Sequence, residues 1–326
     1  MMDELDKAWL EICGRRSEEL TPALQSVEAF CSAFPTKQKC VLITSGGTRV
    51  PLERNAVRYI QNFSTGMRGA RSAEQFLQLG YAVIFLHSKH SALPWQWNFH
   101  LDSLTDLEDH AGPGRTDKEI REEADKRLEL GTEVGTFHSA ISSINRFRSH
   151  TCKVEYQDLD EYLFFLRKIP EMMDKSFTVP LLYLAAAVSD FHIPWEELLE
   201  HKIQSSDGGL NLHLKPVPKF LRCLRAWTPK ALIVGFKLET DEDSLRQKAQ
   251  KSMEKYDLDA VVANELGTRY AKVLLMRRQG FKTLEILDKN LEKIPTECLE
   301  EQIVGEVNVL LTEKVLTTTQ SETTVH

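Results

Sequence analysis

Val41-Leu42-Ile43-Thr44-Ser45-Gly46-Gly47-Thr48, followed by Asn62-Phe63-Ser64-Thr65-Gly66 and then Met67-Arg68-Gly69-Ala70-Arg71-Ser72-Ala73-Glu74-Gln75-Phe76-Leu77, decides how this chain folds. The uninterrupted apolar run Val41–Ile43 reads as a strand buried on both faces of a parallel sheet. The glycines behind it have no Cβ where the chain turns sharply, so backbone N–H groups can approach an anion closely. Asn62–Gly66 is a second turn rich in N–H groups. It opens a segment that is small-residue-rich at first and amphipathic later, a helix whose N-terminus offers unpaired N–H groups and a partial positive charge. Two such turns in one strand-to-helix crossover suggest a ligand with more than one anionic group; a plain strand-to-helix turn is the alternative for Ser45–Thr48. The usual fingerprints are missing. No glycine-rich run ends in Gly-Lys-Ser or Gly-Lys-Thr, and no Gly-x-Gly-x-x-Gly follows the first strand.

Working outward, apolar runs alternate with helical ones. Helix 66–79 stops at Gly80; Ala82–Leu86 is a second strand. A polar stretch over 88–150, with Gly112-Pro113-Gly114 and the charged run Asp117–Lys126, reads as an excursion bearing one or two exposed helices. Helix 157–174 follows with Asp158 as its cap. Leu181–Ala187, Leu232–Phe236 and Asp259–Ala263 are further strands, with a helix over 242–256. Lys272–Met276 and Thr283–Leu287 form a hairpin edge, and helix 296–313 closes the fold. Residues 1–34 are a helical segment in which Thr21 caps a new helix beginning at Pro22. The tail 317–326 is polar and expected to be disordered. The fold class is therefore α/β: a Rossmann-like, doubly wound, mostly parallel sheet with helices on both faces and an added hairpin or flap. Residues 35–316 form its single main domain.

Composition narrows the function classes. The chain has 326 residues, 42% hydrophobic and 27% charged, with a net charge of −7. That is ordinary for a globular protein. It argues against a general nucleic-acid or membrane-surface binder. Six scattered cysteines, without a Cys-x-x-Cys pair, fit reduced thiols rather than disulfides or zinc. No apolar run approaches transmembrane length, and the N-terminus carries Asp3, Glu4 and Asp6 without an apolar core, unlike a signal or transit peptide. The expected compartment is the cytoplasm. The histidines form no metal cluster, and no Gly-x-Ser-x-Gly elbow is present.

Ligands of doubly wound sheets bind beyond the carboxyl ends of the strands. Four segments carry chemistry there. Ala185-Ala186-Ala187-Val188-Ser189-Asp190 leaves room beside the backbone and ends on a carboxylate, which either works on a ligand or merely faces solvent. His201-Lys202-Ile203-Gln204-Ser205 begins a hairpin or flap that runs through Ser206–Gly209 and the alternating Leu210–Leu214, and Lys202 is either a phosphate-binding or an ordinary surface lysine. Phe236-Lys237-Leu238-Glu239 ends a strand, with Lys237 and Glu239 contacting a nucleotide or pairing with each other. Asn264 either reads a base or sugar or caps the next turn.

Together, and in this order, these segments resemble the phosphopantothenate–cysteine ligase family in its free-standing eukaryotic form. The carriers are Thr44–Thr48 with Val50-Pro51-Leu52-Glu53, Val57-Arg58, Asn62–Gly66, Ala185–Phe191, His201–Ser205 and Gly235–Thr240. Each is weak singly; their order is specific. The chain departs from bacterial members, which have a further lysine where Gln204-Ser205 stands, and lacks their flavin-dependent decarboxylase domain. The long 88–150 excursion is typical of the eukaryotic type.

The resemblance implies a Mg²⁺-dependent ligation of 4′-phosphopantothenate and L-cysteine in coenzyme A synthesis, driven by ATP (or CTP) through an acyl-nucleotide. It also implies a homodimer. By the same resemblance, Ser45, Gly46, Gly47, Ser64, Thr65 and Gly66 cradle nucleotide phosphates, and Phe236, Lys237 and Asn264 lie near the nucleotide. Asn62 binds the carboxylate and then the acyl intermediate. Ala185, Ala186 and Asp190 line the pantothenate arm, Lys202 stabilises charge on the α-phosphate, and Arg58 reaches the substrate phosphate across a subunit interface. No residue is assigned to a metal. Two rivals share the fold: an NAD(P)-dependent oxidoreductase, against which stand the missing glycine fingerprint and the absence of an acidic residue after Leu86, and a non-catalytic phospholigand-binding protein.

Overall fold

A computed structural model describes residues 2–96, 133–204, 209–240, 242–286 and 298–323. Strand β1 (Cys40–Ser45) is buried along its whole length. Cys40 and Leu42 enter one apolar core and Val41 and Ile43 the other, which is why the run is continuous rather than alternating. β1 pairs in parallel with β4 (Ala82–Ser88) on one side and β6 (Leu181–Leu184) on the other. β4 pairs with β5 (Thr151–Tyr156), and β6 with β9 (Leu232–Glu239), which pairs with β10 (Ala260–Glu265); all are parallel. The order β5-β4-β1-β6-β9-β10 is the doubly wound pattern. The chain leaves β1 in one direction and returns to fill the other, so the crevice between the carboxyl ends of β1 and β6 is the ligand position of such sheets. An antiparallel hairpin, β11 (Lys272–Arg277) and β12 (Gly280–Glu285), extends the β10 edge.

Helices α3 (Met67–Gln78) and α7 (Leu299–Thr323) cover one face of the sheet; α5 (Leu159–Ser176) and α6 (Glu242–Tyr256) cover the other. Outside α5 lie α1 (Met2–Cys13) and α2 (Ser17–Ser32), packed into the same core through Trp9, Cys13, Val27 and Cys31. Trp9 stacks on Phe164 and donates its indole N–H to the Leu163 carbonyl at 3.0 Å. Two small antiparallel pairs stand outside the main sheet: β2 (Arg49–Pro51) with β3 (Tyr59–Gln61), and β7 (Phe191–His192) with β8 (Lys215–Pro216). Among the described residues a helix α4 spans Glu133–Phe147.

Several expectations need correction. The third strand ends at Leu184, because Ala185–Val188 leave the ladder to bond the β1 turn. β5 lies where no strand is expected from the sequence: only Val154 and Tyr156 on one face of this edge strand are buried, and the exposed Lys153 and Glu155 before and between them break the apolar signal. β12 begins three residues earlier than expected, since a two-residue turn at Arg278-Gln279 pairs Arg277 directly with Gly280. Thr21 does not start a helix. α2 runs through Pro22, the Thr21 hydroxyl donates to the Ser17 carbonyl at 2.7 Å, and the break falls instead at the 3-10 turn Gly14–Arg16. The tail is not disordered from Thr317: α7 continues to Thr323, with the hydroxyls of Thr317, Thr318 and Thr319 bonded to carbonyls one turn back. Leu210–Leu214 is no strand; among the described residues of the excursion the antiparallel pairing lies at its stem, where Phe191 pairs with Pro216. Gly112–Gly114, Asp117–Lys126 and Ser206–Gly208 lie outside the described residues.

Candidate functional site

The β1 turn is held from three sides. Gly47 forms a parallel bridge with Ala187; the Ala187 N–H donates to the Gly46 carbonyl at 2.8 Å, and the Thr48 N–H to the Ala187 carbonyl at 3.1 Å. Thr44 and Thr48, both fully buried, add side-chain bonds: their hydroxyls accept the N–H groups of Ala186 (3.1 Å) and Ser189 (2.9 Å). The stretch after β6 is therefore laced onto the stretch after β1. Asn62 joins them. Its N–H donates to the Thr48 carbonyl at 3.2 Å and its Nδ2 to the Val188 carbonyl at 3.2 Å, so both donated bonds go to the stretches that it ties together. The structure thus brings Gly46, Gly47, Asn62, Ala185, Ala186 and the start of α3 to one place.

Close approach explains the glycines. A Cβ on Gly47 would lie 2.0 Å from the Asn62 carbonyl oxygen, and one on Gly46, whose φ is +87°, 2.0 Å from Ser88 Oγ. Gly66, at φ +75°, caps α3 in the left-handed region. Ser45 is fully buried, and its hydroxyl donates to the Gly66 carbonyl at 3.0 Å while its own carbonyl accepts from Tyr156 Oη at 2.8 Å. Ser45 therefore ties the β1 turn to the start of α3, whereas Ser64, Thr65 and Gly66 lie at the helix start itself.

Strand alternation divides the remaining candidates. Phe236 lies on the α3 face, edge-on to Tyr183 at 4.9 Å, and Tyr183 shares a 2.9 Å bond with Ser72. Asn264 is on the same face, 7% exposed. Lys237 points the other way, pairing with Glu239 at 2.9 Å beside Lys248 at 2.6 Å. It lines a cleft of about 520 Å³ between α5 and α6 that also includes Ala186 and Asp190. Adjacent in sequence, Phe236 and Lys237 are thus on opposite faces of the sheet. Of the two readings of Asn264, the turn cap belongs to its neighbour: Glu265 accepts from the N–H groups of Gly267 and Thr268. Arg68, not singled out from the sequence, donates to Asn264 Oδ1 at 3.5 Å and pairs with Glu300 at 2.6 Å; its place two residues into the helix that opens the cradle was the available signal.

Asp190 is exposed and paired with Lys219. Lys202 is exposed and forms no ion pair among the described residues. Arg58 donates through Nε and Nη2 to Glu53 Oε1 at 2.9 and 2.6 Å, and through Nη2 to the Ile203 carbonyl at 2.7 Å. The Glu53 side chain is wholly buried. Burial pushes its carboxyl up, but the Arg58 guanidinium and the N–H groups of Ile203 and Arg58 outweigh this and hold it below the usual carboxylate range. Burial also lowers His87, at the end of β4, so its ring favours the neutral form. Among the described residues no three His, Cys, Asp or Glu side chains converge as a metal-ligand set, and no helix is long and apolar enough to cross a membrane.

Residues 36–105 and 167–302 match the model of the "DNA/pantothenate metabolism flavoprotein C-terminal domain" family. The chain is 40% identical over 272 residues to phosphopantothenate–cysteine ligase 2 of Oryza sativa subsp. japonica, covering 81% of this chain and 77% of that one. It is 38% identical over 268 residues to phosphopantothenate–cysteine ligase of Homo sapiens, covering 82% and 84%. A solved structure of a Cab2 variant in complex with phosphopantothenate-cysteine superposes with a TM-score of 0.74 at 33% identity, over 93% of this chain and 95% of that one.

Proposed function

The chain belongs to the phosphopantothenate–cysteine ligase family, and from that premise we propose how its crevice divides the work. The enzyme is a ligase of coenzyme A synthesis. In the proposed reaction, the carboxylate of 4′-phosphopantothenate attacks the α-phosphate of ATP. Pyrophosphate departs and an acyl-adenylate forms; CTP would give the cytidylate. The cysteine amine then attacks the acyl carbon, yielding 4′-phosphopantothenoylcysteine and AMP.

A carboxylate and a triphosphate repel each other, so the site must bring them together with dipoles and cations. The rim Ser64–Gly66 and the N-terminus of α3 receive phosphate oxygens, with Phe236 and Asn264 beside the nucleotide on the same face of the sheet. Gly46 and Gly47 permit that approach; Ser45 fixes Gly66. Asn62 stands between the halves: an uncharged amide accepts and donates in turn, so it can hold first the carboxylate and then the acyl carbonyl. Ala185 and Ala186 leave room for the pantothenate arm, and Asp190 accepts from one of its polar groups. Lys202 stabilises charge on the α-phosphate. Lys237, on the opposite face, serves the pantothenate side rather than the base. Mg²⁺ would enter as part of the nucleotide substrate and would supply charge neutralisation for the pyrophosphate; no protein residue is assigned to hold it.

A second copy of the chain completes the reading. Val57, Tyr59, Ile60 and Phe63 are all exposed on and beside the β2–β3 arm, an apolar surface that a twofold partner would cover. Arg58 Nη1, which has no bond among the described residues, is then free for the substrate phosphate of the neighbouring subunit. The cytoplasm fits the reduced, largely buried thiols.

The observation that carries the proposal is the lacing of Ala185–Ser189 onto Gly46–Thr48 with Asn62 between them. The test is pyrophosphate release with 4′-phosphopantothenate, Mg²⁺ and ATP or CTP, with and without cysteine. Cysteine-dependent turnover giving phosphopantothenoylcysteine by mass spectrometry is the expected result; turnover with neither nucleotide would refute it. Asn62→Asp keeps the size but places a negative charge where a carboxylate binds. It is expected to abolish ligation with the fold intact, and near-normal turnover would remove Asn62 from the scheme.

A further inference from the structure

Glu53 is the most completely buried carboxylate near the crevice, and no step of the reaction requires it. Residues 52–55 run beside the entry to the Lys202 loop: Glu53 bridges Leu199, the Arg54 N–H donates to the Leu199 carbonyl at 2.8 Å, and the Asn55 N–H to the Glu200 carbonyl at 3.1 Å. Glu53 Oε1 then accepts from the Ile203 N–H at 3.4 Å, while Arg58, itself bound to Glu53, donates to the Ile203 carbonyl at 2.7 Å. Both main-chain polar groups of the residue after Lys202 are thus held by one ion pair. Lys202 itself has no ion-pair partner among the described residues to fix it. What the structure fixes here is the backbone next to it.

We propose that Glu53 is a positioning residue: through Arg58 and Ile203 it sets where Lys202 meets the α-phosphate. This rests on the assignment of Lys202 to the nucleotidyl step. A buried carboxylate suits the task better than a neutral amide. It accepts several donors at once and draws the guanidinium into a fixed fork, so the loop is seated before substrates arrive. Nucleotidyl transfer is sensitive to such seating, because an error of about 1 Å in a reacting group costs on the order of a hundredfold in rate.

The experiment is a double-mutant cycle on single-turnover pyrophosphate formation, with saturating 4′-phosphopantothenate and Mg²⁺–ATP and no cysteine. Glu53→Gln keeps the volume but loses the charge and one of the two acceptor oxygens. It is expected to slow this step about tenfold or more. The KM for phosphopantothenate should change by less than about twofold. In a Lys202→Gln background, Glu53→Gln is expected to cost less than about a further twofold, since what it positions is gone. Arg58→Lys, which keeps the cation but loses the fork that reaches Ile203, serves if Glu53→Gln folds poorly. Since Arg58 is also assigned to the substrate phosphate, it is read at saturating phosphopantothenate and only through its coupling, with its effect on the rate expected to shrink in the Lys202→Gln background. A Glu53→Gln rate equal to wild type overturns the proposal, as does a full multiplicative effect in the Lys202→Gln background. If Lys202→Gln alone runs at the wild-type rate, the assignment of Lys202 fails and this inference with it. If Lys202→Gln is slow and the two effects multiply, only the positioning role fails.

Discussion

At the scale of single residues, contacts too close for a side chain dominate the site. Gly47→Ala would drive a methyl into the Asn62 carbonyl, a backbone atom that cannot rotate away. The expected cost is about 1–3 kcal/mol of stability with loss of pyrophosphate release, checked by thermal melting beside the activity assay. Unchanged activity would remove the need for that approach. Glu53 makes the second prediction. Its carboxyl is depressed in the folded protein, so the unfolded chain, near the usual value of about 4.3, takes up its proton first as pH falls. The stability it contributes is therefore complete above that pH and drains away as pH drops through the lower folded value. In urea titrations the gap between wild type and Glu53→Gln should be widest near neutral pH and close in acid; a gap independent of pH would contradict the depression. The thiols give a third. Burial pushes Cys31 to about 12 and Cys152 and Cys298 to about 11, so the native protein should react slowly with thiol reagents until it is unfolded. The glycine pairs and Asn62 were legible because a missing Cβ or a fixed amide is a property of the residue itself. The burial of Glu53 was not, because its partners lie five and 150 positions away.

At the scale of elements, the sequence reports what each segment buries. β1, β4, β6, β9 and β10 are apolar on both faces and stand out as unbroken runs. β5 is wet on one side, so its signal merges with the polar stretch before it. Strand ends were harder to read, because Ala185–Val188 exchange ladder bonds for bonds to the β1 turn, a choice made only once the two strands meet. The alternation that separates Phe236 from Lys237 was readable in principle, since neighbours in a strand point apart. The start of α5 shows a local rule at work within a tertiary network. Glu161 accepts from the N–H groups of Gln157 at 2.6 Å and Asp158 at 3.2 Å and also pairs with Arg16 from the N-terminal segment. Removing it orphans two backbone donors and one guanidinium contact. Glu161→Ala should therefore cost about 1–2 kcal/mol in urea unfolding, and Glu161→Gln, which still reaches back to the cap, less. Equal losses would mean that the charge, not the cap, is what matters.

At the scale of the whole molecule, the doubly wound order places the crevice, and beside it a small ribbon is seated on the core through Val50 and Arg49 of β2 while its other strand is left bare. The β2–β3 arm is a two-stranded ribbon outside the main sheet, and every residue of β3 is exposed. Ribbons of that kind are marginal in water unless an apolar face is covered. Here the face is apolar and bare, with Val57 60%, Tyr59 49% and Phe63 87% exposed, on a protein whose net charge of −7 otherwise favours solubility. The arm also leads into Asn62 and carries Arg58, so whatever covers it would steady the two residues that the proposed reaction relies on. The proposed twofold partner would do this with one self-complementary patch. Sedimentation or light scattering should therefore report twice the 37.3 kDa chain mass. Ile60→Lys, which introduces a charge on β3 away from the β1 turn, should shift the protein toward monomer and lower ligation in proportion to the dimer lost, with recovery at high protein concentration by mass action. A fully active monomer would show that the arm is steady by itself, and that Arg58 acts within its own subunit.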